Sequence, residues 1–313
     1  MLNRRGLFKG IALFAAGFAS KWLGDRYAGD EAPIAPAPHQ PPAASGDMID
    51  VAEFKKTTSV EALNQTAETY FARLPDWDFQ HAKPLANPKG APDLLTGFAH
   101  VLHGLQVEPG MSVLDFGAGS CWASRWLTQM GLEAIALDVS PSALKIGQAL
   151  YQRLPVIGER PKPRFLLFDG QRIDLPDASV DRIMCLDAFH HVLNQDQVLQ
   201  EMRRVLKPAG IAGFSEPGPY HSRTAQSQHE MRNFKVLEDD VHIDRIWAAA
   251  QRAGFARMRL ALLNVPSYLV TFEQFEEFLA GGKMMQHFAE AVRAQMLDRR
   301  MFFLQKGGTA PSR

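Results

Sequence analysis

MSVLDFGAGSCWASRWL, residues 111–127, is the stretch whose reading decides the fold. A short apolar run, SVLDF, ends at a loop holding Gly117 and Gly119, and CWASRWLTQM continues with helical spacing until Gly131. A strand that turns through glycines into a helix lets the backbone approach a nucleotide-like ligand closely. The dinucleotide fingerprint G-x-G-x-x-G is incomplete, because Trp122 stands where a third glycine would allow close helix–strand packing. Asp115 lies two residues before Gly117, and a carboxylate facing the loop would repel a diphosphate while suiting an ammonium group.

Working outward, EAIALD, RFLLFD, SVDRIMCLD and IAGFSE read as strands. Between them SPSALKIGQALYQRL and NQDQVLQEMRRVL read as helices, the first with Ser140 as N-cap and Pro141 at its first position. VHIDRIWAAAQRA is a further helix stopped by Gly254, and ARMRLALLNV and RMFFLQKG close the chain as strands. Strands alternating with such helices predict an α/β fold, a Rossmann-like doubly wound, mostly parallel sheet. Ligands bind such a sheet outside the C-terminal strand ends, near the switch in strand order. Four successive strand ends carry an aspartate (DFGAG, DVS, FDG, LDAFHH), and the fifth carries Glu216. Asp138 stands 23 residues after Asp115, near the offset at which an acid accepts both ribose hydroxyls. The ligand so implied has a ribose, a nearby positive charge and no phosphate, which S-adenosylmethionine satisfies.

From about Leu94 to Gly307 the chain resembles the class I S-adenosylmethionine-dependent methyltransferases. VLDFGAGSCWAS matches the first motif, ALDVS the second, and FDGQRIDLP the loop after the third strand. VDRIMCLDAFHHV matches the fourth, and EMRRVLKPAGIAGFSEP leads into the fifth strand. The resemblance implies a sheet of seven strands with the last antiparallel, supplied by MFFLQKG, and helices on both faces. It also implies the cofactor residues. Asp115 orients the loop and the ligand's amino group; Gly117 and Gly119 admit the backbone; Asp138 binds the ribose; Asp169 accepts from the adenine amino group, with Gly170 allowing its approach. Asp187 sits beside the amino acid part and the methyl, and Phe116, Ala118 and Val139 complete the wall. The sequence departs from the family at Cys121, which replaces the glycine often third in the first motif, and at Trp122, whose ring falls near the ligand's amino acid end.

Methyl transfer from a sulfonium needs alignment and exclusion of water, and an oxygen acceptor also needs a base. His190, His221 and Glu216 follow strand tips on the binding side and are the candidate catalytic residues. His191 reads as a packing residue that starts a helix, whereas His190 stays open between packing and proton transfer. No metal ligand set is expected, since two cysteines, Cys121 and Cys185, make neither a zinc site nor a disulfide framework. Acceptor selection is expected from segment 70–92 (Tyr70, Trp77, Phe79, His81), loop 217–240 and a helical insertion at 264–297. The acceptor is expected to be a small molecule or a saccharide. HEMRNFKVLEDDVHIDRIWAAAQRAGF with the closing FFLQKG is similar to methyltransferase domains attached to cell-surface glycan enzymes.

The 313 residues carry 34 Lys/Arg and 34 Asp/Glu, so nothing marks a nucleic-acid partner. Residues 1–47 form a leader. Arg4, Arg5 and Lys9 precede an uncharged run from Gly10 to Ser20, too short to span a bilayer, and RRGLFKG looks like a twin-arginine export signal. EAPIAPAPHQPPAASGD then forms a linker with five prolines before Met48. Whether this leader is cleaved, anchoring through residues 1–23 or untranslated stays open. Residues 48–93 are expected to form a helical substrate cap and 94–313 the methyltransferase domain. Because S-adenosylmethionine is made in the cytoplasm, a cytoplasmic chain, held at the inner membrane face, is favoured over export. Two other function classes compete: a non-catalytic ligand-binding or membrane-tethered protein, and a nicotinamide-dependent oxidoreductase, which Asp115 and Trp122 disfavour.

Overall fold

The computed structural model describes residues 48–262 and 269–308, so the leader lies outside the described residues. The apolar runs form seven strands: β1 (Ser112–Phe116), β2 (Glu133–Asp138), β3 (Arg164–Leu167), β4 (Val180–Leu186), β5 (Leu206–Pro217), β6 (Phe255–Leu260) and β7 (Arg299–Lys306). They make one sheet in the order β3-β2-β1-β4-β5-β7-β6. The pairs from β3 through β5 are parallel, whereas β7 runs antiparallel to both β5 and β6. The chain winds outward from β1 to β3, then returns to place β4 on the other side of β1. That reversal opens a crevice above the C-terminal ends of β1 and β4.

Helices cover both faces. On one side α4 (Ala91–Leu105), α5 (Trp122–Gln129) and α6 (Pro141–Arg153) bury Val101, Leu105, Leu127 and Leu150 against the sheet. On the other, α7 (Gln195–Val205) and α9 (Ile243–Ala253) bury Val198, Met202, Val205 and Ala250. The caps follow local chemistry. Ser140 Oγ accepts from the N–H of Ala143 at 3.0 Å, and Gly254 ends α9 at φ 89°.

The structure adds to the sequence reading in three places. Within the expected helical cap, Asp78–Ala82 forms the short helix α3. Loop 217–240 contains a ten-residue helix, α8 (Ala225–Phe234), with Thr224 as its cap. Strand β5 begins at Leu206, before the IAGFSE run read as a strand, and its register with β4 shifts between Val180 and Arg182. Within the insertion, α10 (Phe272–Leu279) and α11 (Lys283–Asp298) precede β7, and residues 263–268 lie outside the described residues.

Of the first helices, α1 (Val51–Lys56) and α2 (Val60–Ala72), the second lines the cavity in the crevice. They are held by polar contacts to strand-end loops. Glu68 of α2 accepts from Ser140 Oγ at 2.7 Å and from Ser142 N and Oγ at 3.0 and 2.6 Å. Asn64 Nδ2 donates to the Asp169 carbonyl at 2.8 Å, and Lys55 pairs with Asp239 at 2.7 Å. Among the described residues no helix is long and apolar enough to cross a membrane.

Candidate active site

Under α2 and α3, at the C-terminal strand ends, lies a cavity of about 400 Å³ with a mostly apolar wall. Its size is that of an ordinary small-molecule site. One wall is the loop after β1. Gly117 and Ala118 donate to the Leu137 carbonyl at 2.9 and 3.0 Å, and Gly119 donates to Asp138 Oδ2 at 2.8 Å. A Cβ on Gly117 would lie 2.3 Å from that of Ala188, so this glycine packs the loop onto the tip of β4. A Cβ on Gly119 would meet only Phe71, at 3.7 Å, so its open side faces the cavity. Cys121 holds the left-handed conformation, φ 59°, that the missing third glycine would favour. Its thiol fits because Gly147 lies opposite, where a Cβ would come within 2.2 Å of the sulfur.

The predicted cofactor residues divide. Phe116, Ala118, Gly119, Trp122, Asp138 and Val139 line the cavity, as do Gly117, Gly170 and Asp187. Asp115 does not line it. It is buried beneath the loop and accepts from Ser124 Oγ at 2.5 Å, and burial raises its carboxyl to about 6. Asp169 is exposed, and its Oδ1 accepts from the N–H groups of Gln171 and Arg172, both at 2.7 Å, within its own turn. Asp138 is buried, with Oδ1 taking the Ser140 N–H at 2.9 Å; burial raises its pKa. Trp122 packs beside Phe98, with ring centroids 5.5 Å apart.

Beyond the β4 tip stands a set of charges that sequence reasoning did not assemble. Asp187 takes a left-handed φ of 51° and receives both guanidinium nitrogens of Arg299, at 2.7–2.8 Å. Lys83 lines the same region, and burial lowers its ammonium to about 8 against the opposing pull of Asp187. Asp93 also lines it, its carboxyl raised by burial. Arg299 lies over 100 residues beyond Asp187, and only the antiparallel return of β7 brings it there.

The three candidate catalytic residues lie close together but play different parts. Glu216 is buried, does not line the cavity, and accepts from the N–H groups of Ala188 and Phe189 at 3.1 and 2.9 Å. It also holds His190 Nδ1 at 2.7 Å. His190 lines the cavity, and burial lowers its pKa well below the ordinary value. His221 sits behind it, with Nε2 2.6 Å from Glu238. Sequence reasoning passed over Glu238 and Glu230, which both line the cavity from segment 217–240. Burial alone would raise the Glu238 carboxyl, but His191, His221 and His190 bring it down to about 2. Glu230 moves the other way, raised to about 7 by burial and by Glu238. Its Oε1 takes a hydrogen bond from Gln226, and its buried Oε2 has no hydrogen-bond partner among the described residues. The only signal for them was their place in a segment expected to face the acceptor.

Residues 114–214, from β1 into β5, match the methyltransferase domain family. The match spans 101 residues, about a third of the chain, and what it shows is a methyltransferase-type domain. A demethylmenaquinone methyltransferase of Renibacterium salmoninarum is 32% identical over 142 residues, covering 44% of this chain and 55% of that protein. A sterol 24-C-methyltransferase of Gibberella zeae is 30% identical over 119 residues, 37% of this chain and 30% of that one. The matched region thus spans about half the first relative's length and less of the second. Among solved structures, a cyclopropane synthase of Mycobacterium tuberculosis superposes with TM-score 0.54 at 15% identity, over 80% of this chain and 100% of that one. A phosphoethanolamine N-methyltransferase of Haemonchus contortus, bound to S-adenosylhomocysteine, gives 0.54 at 14% identity, over 81% and 61%. These two share the fold.

Proposed function

We propose that the protein transfers a methyl group from S-adenosylmethionine to an oxygen of a small, largely apolar acceptor. One observation carries this reading: the glycine turn, Asp138 and the acidic and imidazole groups after β4 and β5 all open on a single closed-over cavity. The cavity suits this cofactor. Both oxygens of Asp138 keep a lone pair after taking the Gly119 and Ser140 N–H groups, enough to accept two ribose hydroxyls. Val139 and Gly170 would flank the base. Asp187 and Lys83, of opposite charge, would suit the ammonium and carboxylate of the amino acid end. When bound, the cofactor supplies a methyl activated by its sulfonium.

The chain's own residues supply alignment and proton handling. Side chains of α2 and α3 line the cavity and would limit water at the reacting atoms. Glu230 is the group best suited to take a hydroxyl proton, because burial pushes its carboxyl up to about 7, near working pH, and Oε2 has no other partner among the described residues. His190, Glu216 and His221 stand behind as the frame of the acceptor wall. The apolar lining supports a small molecule over a saccharide, and relatives named for quinone and sterol methylation make hydroxylated lipophilic compounds the first acceptors to try. Cytoplasmic placement at the inner membrane face belongs to the same reading, and fractionation of a reporter fused to residues 1–47 tests it.

The direct test is calorimetric titration with S-adenosylmethionine and separately with NAD, followed by acceptor-dependent formation of S-adenosylhomocysteine. Micromolar binding of the first alone, with turnover on a hydroxylated acceptor, is expected. Tighter NAD binding would restore the oxidoreductase reading. Binding without turnover across a broad acceptor panel would leave a non-catalytic ligand-binding protein.

A further inference from the structure

His190, His221 and Glu238 reach one point from three parts of the chain: the turn after β4, the turn after β5 and the segment joining α8 to α9. One ligand-type atom from each lies within 4.8 Å of the others, and all three side chains are buried. His221 Nε2 is 2.6 Å and His190 Nε2 4.0 Å from Glu238 Oε2. Glu216 holds His190 by Nδ1, so that nitrogen carries the ring proton and the Nε2 lone pair points into the cluster. His190 lines the cavity, and its Nε2 lies beyond hydrogen-bond distance of Glu238 Oε2. On the same wall, Glu230 Oε2 is buried without a hydrogen-bond partner among the described residues.

Internal hydrogen bonding explains the His221–Glu238 contact but not these two atoms. A carboxylate holding the distal nitrogen of an imidazole is the usual outer support of a metal-ligating histidine. Glu216 is in turn anchored by main-chain N–H groups of the turn it supports. We propose that His190 Nε2, His221 Nε2 and Glu238 Oε2 bind a first-row divalent transition-metal ion whose remaining positions face the acceptor end of the cavity. Two imidazoles and one carboxylate suit zinc, iron(II), cobalt(II) or manganese(II) better than magnesium or calcium, which prefer oxygen ligands throughout. Metal–ligand bonds of about 2.0–2.2 Å place donor atoms roughly 3–3.5 Å apart. The observed 2.6 and 4.0 Å straddle that spacing, so the site closes with side-chain shifts of about half an ångström to an ångström.

This site deepens the proposed function, on which its catalytic use rests: the open positions would take an oxygen of the acceptor. Metal binding itself does not depend on that reading. The test uses the full chain without a histidine tag, stripped by chelator and titrated with cobalt(II), followed by visible absorption and calorimetry. One equivalent is expected, with the ligand-field bands of a four- or five-coordinate site. His190→Ala and Glu238→Gln should each weaken binding at least about 100-fold, and Glu216→Gln about 10–100-fold through loss of the outer support. His229→Ala, on the exposed face of α8, should leave it unchanged. S-adenosylhomocysteine binding to each variant reports an intact fold and, in the native chain, separately tests the cofactor reading. Absence of the bands in the native chain, or bands that survive in folded His190→Ala and Glu238→Gln, overturns the site.

Discussion

Replacing Asp138 by alanine tests the cofactor assignment most directly. The carboxylate is buried at the end of β2, and its two oxygens already take the N–H groups of Gly119 and Ser140 at 2.8 and 2.9 Å. If it also accepts both ribose hydroxyls, the variant loses two hydrogen bonds to a charged group. At about 1.5–3 kcal/mol each, the loss is about 3–6 kcal/mol. A tenfold change corresponds to about 1.4 kcal/mol, so affinity should fall by about 10²–10⁴. The alanine also strands two main-chain donors, which loosens the loop and lowers stability by an additional ~1–3 kcal/mol per donor if they stay dry. Asp138→Asn separates the two effects, since its amide oxygen can still accept one N–H while its NH₂ cannot accept from a ribose. Calorimetry with S-adenosylhomocysteine, beside thermal unfolding of each variant, gives both quantities. A folded Asp138→Ala protein that binds within threefold of the native chain would refute the ribose assignment.

Glu230→Gln should lower turnover by about 10²–10⁴ and abolish a limb of the pH–rate profile that rises through about pH 7, the base being active only when ionised. The same raised pKa means that the folded state binds more protons than the unfolded one between about 4.5 and 7. Native stability from this group is therefore present below 4.5 and lost as pH rises through 7, and chemical denaturation of the glutamine variant across that window should show a flatter dependence. Gly117→Ala places a Cβ 2.3 Å from that of Ala188 at φ 71°, and a loss of about 2–5 kcal/mol in unfolding free energy is expected, with weakened cofactor binding. Gly104→Ala, whose Cβ would lie 2.0 Å from the Phe303 ring, should cost about 1–3 kcal/mol while leaving cofactor affinity near native.

The parallel half of the sheet was legible because each strand and helix carries its own pattern. SVLDF, EAIALD and SVDRIMCL are short apolar runs bounded by turn residues, and Ser140 with Pro141 marks the start of α6 without tertiary help. Asp138 and Gly119 were legible for the same reason: a motif of fixed spacing places them at a strand end whatever surrounds it. The third-glycine departure was visible as well, but its remedy was not. Cys121 sits in left-handed backbone because Gly147, 26 residues on and on another helix, leaves room for its sulfur.

What the sequence by itself determined was therefore the alternating α/β order, the glycine turn after β1 and the end of the sheet at which the cavity opens. These follow from periodicity and from backbone geometry within a few residues. Tertiary structure alone decided which charges meet. Asp115 turned inward to Ser124 and Asp169 to its own turn, because buried or turn N–H and O–H donors nearby claim a carboxylate before a distant ligand can. Arg299 reached Asp187, and Glu230 and Glu238 reached the histidines after β4, only through the antiparallel return of β7 and the placement of α8. No local pattern records such meetings, since electrostatic and hydrogen-bond energies depend on separation in space and not along the chain.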